Sequence, residues 1–485
     1  MIQGSAKFGA PSARSGIIRA TGYVWGIAIA AAMGGLLFGY DWVVIGGARQ
    51  FYETYFHLTS TVLVGWANSS ALVGCLAGSL VAGSLSDRYG RRRVLLVSAI
   101  LFAVSSVLTG TAHTFLHFVL WRIVGGTAIG LSSNVSPVYI AESSPTPIRG
   151  RLVSLNQFAV VVGILLAQVV NWLIARPVAA DSNAWALLHS WNVQHGWRWM
   201  FIAVAVPALI FTGASLLLPE SPRWLLVRRR EAEARRVLER IGGPAYAAEE
   251  LRSIEDSLAS EAEIQSSWRD LFHGPARRIL LIGVGLAVLQ QWTGINVLFN
   301  YAGDVYRSAG FAANQIFLDI VITGTINLFF TLLAMSLVDR LGRRQLMIYG
   351  SLGIGICHLL CALAYHAQWS AAAVLTLTLG AIACYAVTLA PVTWVLIAEI
   401  FPNRIRAHGV SVSVSALWAA CFLLTYSFPA LNAALSTAGV FVGYGVICLI
   451  ACAMIAAFVP ETKGRSLEQI EAAFGYGRRS LDWRR

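Results

Sequence analysis

The chain has 485 residues, of which 57% are hydrophobic and only 12% charged, with a net charge of +12. An ordinary soluble domain is roughly 25% charged; a soluble core cannot hide this much apolar surface, so the expected solvent is a bilayer. The positive charge does not indicate nucleic acid, because the basic residues cluster in short loops between apolar runs, as membrane topology requires.

Taken in chain order, runs of about 20 residues suited to crossing a bilayer fall at 22–48, 61–83, 94–112, 115–139, 152–175, 197–218, 277–303, 314–338, 345–366, 370–397, 407–429 and 438–459. The first is too long for a signal-peptide core and lacks a small-residue cleavage site. With the N-terminus in the cytoplasm, all but five of the 36 Lys and Arg fall on that side: Arg49, Arg176 and Arg307 lie outside, and Arg122 and Arg198 lie within spans. The positive-inside rule therefore places both termini in the cytoplasm. Only Lys7 and Lys463 are lysines, which suggests a GC-rich bacterial genome; the expected location is the bacterial inner membrane. Residues 219–276 form one hydrophilic insert in which "EAEARRVLERI" (231–241) and "AEELRSIEDSLA" (248–259) read as short amphipathic helices. No nucleotide-binding loop is visible there. The seven cysteines lie in apolar runs without nearby histidine or carboxylate partners, so no metal site, disulfide or cofactor is expected.

The second half repeats the first. "SDRYGRRR" (86–93) returns as "VDRLGRR" (338–344), "AESSPTPIR" (141–149) as "AEIFPNRIR" (398–406), and "PESPR" (219–223) as "PETKGR" (460–465). The expected fold is an all-α membrane protein of twelve transmembrane helices in two pseudo-symmetric six-helix bundles, 1–218 and 277–459. A cytoplasmic helical linker, 219–276, joins them, and a tail, 460–485, follows. Parallel halves of this kind belong to transporters that rock around a site at the bilayer midplane.

These motifs, together with "PESPRWL" (219–225), "PETKGRS" (460–466) and "QQWTGIN" (290–296), resemble the sugar porter family of the major facilitator superfamily over nearly the whole chain. The resemblance implies a cytoplasmic charge network that latches the halves together. It would be formed by Asp87, Arg88, Arg91, Arg92, Glu142, Arg149 and Glu220 in the first half and by Asp339, Arg340, Arg343, Glu399, Arg406 and Glu461 in the second. The bland alternative is that the arginines simply anchor loops at the cytoplasmic face.

A sugar site needs uncharged donors and acceptors plus an apolar surface. Gln157 and Gln168 are almost three helical turns apart and share a face of span five. Gln290, Gln291 and Asn296 cannot share a face of a straight helix, but Gly294 offers a break that would turn Asn296 inward. Asn327 in span eight and Trp394, after Pro391 in span ten, complete the candidate set. An intramembrane Asn or Gln can equally serve an interhelical hydrogen bond; the match to the family's sugar-contacting positions favours binding. Ala390 before Pro391, Asn300, Leu417 and Trp42 depart from the family pattern, which leaves the monosaccharide, hexose or pentose, open.

Asp41 in "GGLLFGYDWVVIGG" (34–47) is an expensive carboxylate inside an apolar run. Asp41 and Arg122 are each seven residues from the expected outer ends of spans one and four, which is equal depth, so they can pair. Neither has an equivalent in the second half. Carboxylates at this position resemble the proton-coupled symporters, whereas facilitators tend to have asparagine. The expectation is import of a monosaccharide by proton symport with alternating access, in a chain functional as a monomer, with sugar, proton and lipid bilayer as its partners. A uniporter of the same fold is the alternative, and a transporter-like nutrient sensor a more distant one. No nucleophile–base constellation suggests an enzyme.

Overall fold

The computed structural model describes residues 22–177, 184–263, 268–311, 313–402 and 404–463, with 465 and 469. Among them are eleven helical stretches long and apolar enough to cross a membrane. The last, Arg406–Phe458, is two helices run together across a break at Ser436 (φ 61°, ψ 166°), so the chain makes twelve crossings. The flanks of the molecule are apolar: Leu217 is 86% and Leu173 70% exposed. Such a surface is stable only against lipid, and the protein is an integral, multi-pass membrane protein.

Span one, Gly22–Tyr55, runs seven residues beyond the expected end at 48. The apolar pattern registers the bilayer, whereas the helix stops only when its backbone ladder does. Polar Arg49 and Glu53 extend it as an i,i+4 ion pair of 2.6 Å. Span two is Thr61–Tyr89, span three Arg91–Gly110, span four Phe115–Glu142 and span five Arg149–Ile174. Span six, Trp185–Leu217, starts earlier than the expected 197 and contains a π-helical turn at Asn192–Gly196. Asn192 fixes that entry, since its side chain accepts from the Arg176 amide at 2.9 Å and donates to the Arg176 carbonyl at 2.7 Å.

In the second bundle, span seven covers Gly274–Asn300, span eight Ala313–Leu341, span nine Arg343–His366 and span ten Ala371–Ile400. Spans one and four are continuous, but their counterparts, seven and ten, are broken. Span seven stops at Trp292, passes through Gly294 in the left-handed region (φ 82°), and resumes as Ile295–Asn300 and Ala302–Ser308. Span ten breaks at Thr388 (φ −122°, ψ −85°). Pro391 lies one turn on, and it has no N–H to give the Val387 carbonyl.

The linker packs across one end of both bundles, here called the linker face. It consists of Pro222–Val227, Glu231–Glu263 with a break at Gly243, and a 3-10 turn at Trp268–Phe272. Trp224 donates to the Asp87 carbonyl (2.9 Å) and Glu250 meets Arg149 (3.6 Å) on the first bundle. On the second, Asp270 pairs with Arg404 (3.0 Å) and Trp268 lies edge-on to His408.

The bundles meet at mid-depth and towards the far face. Trp42 touches Phe299, Phe51 stacks on Phe317, and Trp66 lies edge-on to the stacked Phe422 and Tyr426 rings. Gly46 and Gly65 allow close approach, because a Cβ would lie 2.5 Å from the Phe299 carbonyl oxygen at the first and 2.3 Å from the Tyr426 carbonyl oxygen at the second. Arg49 of span one pairs with Asp304 beyond span seven and lies over the Tyr301 ring, and Arg307 donates to Gln50.

Candidate functional site

Asp41 and Arg122 are both 3% exposed, deep within the first bundle. Arg122 donates from Nη1 to Asp41 Oδ1 at 2.9 Å and from Nη2 to the Asp41 carbonyl at 3.4 Å. The guanidinium lies 5.4 Å from the centre of the Phe201 ring. The second carboxylate oxygen, Oδ2, and Arg122 Nε have no hydrogen-bond partner. One bond therefore joins the two charged groups, in surroundings of low polarity where removing either charge strands the other. Cys75 of span two is buried, as is Cys421 of span eleven in the second bundle.

Cys421 leads to the second cluster. The break at Gly294 brings Asn296 back towards the end of Gly274–Trp292, where it donates to Gln291 and to Cys421 Sγ (3.4 Å). Gln291 donates to Gln290 Oε1 and Gln290 to the Tyr385 hydroxyl, each at 2.5 Å. Three amides from two helical segments thus form one hydrogen-bonded chain, anchored on span ten by Tyr385. Adding a Cβ at Gly294 would bring it to 2.4 Å from the Tyr444 ring, so the break is locked by packing as well as by φ.

The other candidate residues are placed differently. Gln168 reaches across the bundles to Thr323 Oγ1 (3.4 Å), and its Oε1 has no partner. Gln157 and Trp394 are half-buried and Asn327 is buried. None of these three bonds to the amide chain among the described residues. Sequence reasoning missed Tyr385, Thr323 and Cys421, whose types are ordinary in membrane helices and whose roles depend on which helices adjoin. It also missed Asp319, buried in span eight; there the signal was present, as a carboxylate in the apolar run "FLDIVITG" (317–324).

At the linker face the charged motifs form two matching clusters, one in each bundle. In the first, Arg91 bonds Glu142 (3.0 Å) and Asp87 (3.1 Å), while Glu220 accepts from the amides of Arg91 (2.9 Å) and Arg92 (3.2 Å). In the second, Arg343 approaches Glu399 (3.7 Å), and Glu461 accepts from the amides of Arg343 (2.9 Å) and Arg344 (3.1 Å). Each glutamate sits on the positive N-terminus of span three or nine. Arg149 and Arg406 each donate to the carbonyl five residues earlier, Ser144 and Phe401. The Arg88 carbonyl accepts from Arg228 and the Arg340 carbonyl from Lys463. Asp87 is 73% exposed at the edge of its cluster, and the Asp339 side chain lies outside the described residues. These contacts hold the spans of one bundle together; the ones that join the bundles lie elsewhere.

Two six-span bundles related by sequence repetition, with broken helices at the interface, define a major facilitator fold and a membrane transporter, not an enzyme. The sequence profile of the family described as sugar (and other) transporter matches residues 27–474. The D-xylose-proton symporter of Escherichia coli (strain K12) is 37% identical over 481 residues, covering 93% of this chain and 95% of that one. The arabinose-proton symporter of Bacillus subtilis (strain 168) is 36% identical over 451 residues, with shares of 93% and 95%. Among solved structures, the inward-open conformation of the E. coli xylose transporter XylE aligns with a TM-score of 0.81 at 36% identity, over 93% of this chain and 99% of that one. The chain belongs to the sugar (and other) transporter family.

Proposed function

We propose that this chain imports a monosaccharide by proton symport, with the linker face in the cytoplasm of a bacterium and the far face outside. The observations that carry the reading are the isolated Asp41–Arg122 pair inside the first bundle and the hydrogen-bonded chain of amides in the second. The amides Gln290, Gln291 and Asn296, with Gln157, Gln168, Asn327 and Trp394 around the interface, supply neutral donors and acceptors and an apolar face, as a sugar ring requires. The relatives named as xylose-proton and arabinose-proton symporters support a sugar and a proton as the cargo.

In this reading Asp41 takes the proton and Arg122 takes part in its release. A neutral carboxyl crosses between the two access states cheaply, whereas an unpaired carboxylate does not. Protonation frees Arg122 from its only side-chain partner in the pair, and deprotonation restores the bond. Far-face contacts and separate linker-face clusters are what an inward-open state requires. When the linker face closes, the two clusters come within range of each other and serve as the latch.

The test is a panel of hexoses and pentoses in proteoliposomes, with and without an imposed pH gradient. Accumulation of one sugar that collapses with the gradient supports symport. Uptake that only equilibrates, indifferent to the gradient, returns the chain to facilitated diffusion.

A further inference from the structure

Asp319 is a second intramembrane carboxylate, and its setting is unlike that of Asp41. It is 2% exposed, and Oδ2 is fully enclosed without a hydrogen-bond partner. No hydrogen bond or ion pair is made to its side chain among the described residues. It lies six residues into span eight, about 9 Å from that end by helical rise. The same turn gives Ile316, Phe317 and Ile320 to a cavity of about 470 Å³ at the far face.

Among the described residues, the surrounding elements bring no counter-charge to it. Ala371–Val387 carries no acid or base apart from Cys384 and Tyr385, and the outer half of span five carries none. In Ala302–Ser308, Asp304 pairs with Arg49, and Arg307 is turned to Gln50 and Asp304. Tyr306 of the same element shares its hydroxyl with Thr378 (3.4 Å). On span nine, His358 bonds the Thr293 carbonyl and Tyr365 the Val305 carbonyl. The arginines at the ends of spans five and nine and Glu399 lie at the linker face. An isolated carboxylate in such a place avoids the cost of burial by binding a proton.

We propose that Asp319 is a second proton acceptor, loaded from the far side, which must be neutral before the far face can close around it. The turn that holds it also walls the far-face cavity, so opening that face brings water to the carboxyl and closing expels it. The proton returns to the side it came from, so this step adds nothing to the coupling ratio. It makes the far-open state more populated as the pH on that side rises. This rests on the alternating-access reading above, with the far face outside.

The experiment needs no sugar. Ile316→Cys places a reporter thiol in the cavity wall, and a membrane-impermeant maleimide is applied to right-side-out vesicles over a range of external pH. Rates are compared with and without Asp319→Asn, and their ratio cancels the titration of the thiol and of Glu53 and Asp304. The ratio should rise with external pH, approaching about tenfold per pH unit, the limit for one proton. A flat ratio overturns the proposal. Asp319→Leu, also neutral, gives the same comparison if the asparagine variant is not recovered in the membrane. Labelling found only with inside-out vesicles rejects the assigned orientation instead; the pH ratio is then read from that side and decides Asp319 as before.

Discussion

Gln291 both donates to Gln290 and accepts from Asn296, so its removal breaks the amide chain at two points. An unmade hydrogen bond to a buried polar group costs about 1–3 kcal/mol. Gln291→Ala is therefore expected to weaken sugar binding by one to two orders of magnitude in calorimetry, while Cys357→Ala leaves it near the parent value. Unchanged affinity in Gln291→Ala would remove the amides from the site. Arg122→Ala poses a different problem, because it leaves Asp41 buried without a counter-charge. Breaking a buried pair costs about 3–5 kcal/mol, and a protonated carboxyl escapes most of that cost. The variant should thus unfold at lower temperature than the parent at neutral pH, and the gap should narrow in acid. A gap that is independent of pH would mean that packing, not charge, holds the two helices there.

Helical elements were legible where the bilayer writes the sequence. Apolar runs located all twelve crossings, and the repeated motifs located the two halves, because both patterns are local. Ends were less legible: span one continues through Arg49, Gln50 and Glu53 to Tyr55, since polarity ends the membrane before it ends a helix. The break at Gly294 was readable from the incompatible faces of Gln291 and Asn296. Their partners Tyr385 and Cys421 were not, because they come from spans ten and eleven and only packing selects them. Gly294 itself is the element most exposed to test. A non-glycine residue in the left-handed region costs about 1–2 kcal/mol, and a Cβ would collide with Tyr444. Gly294→Ala should therefore straighten or displace Ile295–Asn300 and lower sugar affinity although no sugar-contacting atom is deleted. Parent affinity in Gly294→Ala would show that Asn296 need not be placed by the break.

At the scale of the whole molecule, two faces compete. The far face is held by Arg49–Asp304, by the Arg307–Gln50 bond and by aromatic contacts such as Phe51 on Phe317, while at the linker face Arg91–Glu142 and Arg343–Glu399 each pair within one bundle. Asp304→Asn weakens the far side only, so a thiol at Ile316 should become more reactive from that side at every pH. No increase would mean that the aromatic contacts alone set the closure. A sequence gives each charged motif but not its partner in a given state, and so the linker-face residues read as one network although the structure groups them as two. The proposed cycle also has a ceiling set by physics. A membrane potential supplies about 2.3 kcal/mol per 100 mV for each charge, and at about 1.4 kcal/mol per tenfold ratio one proton sustains roughly fifty-fold accumulation at 100 mV without a pH gradient. That yield depends on Asp41 carrying the proton. The most direct measurement is the external alkalinisation caused by adding sugar to de-energised vesicles, made in parallel with sugar exchange. The parent should show both, and Asp41→Asn should keep exchange while losing alkalinisation. Alkalinisation at the parent level in Asp41→Asn, or none in the parent, would contradict the account.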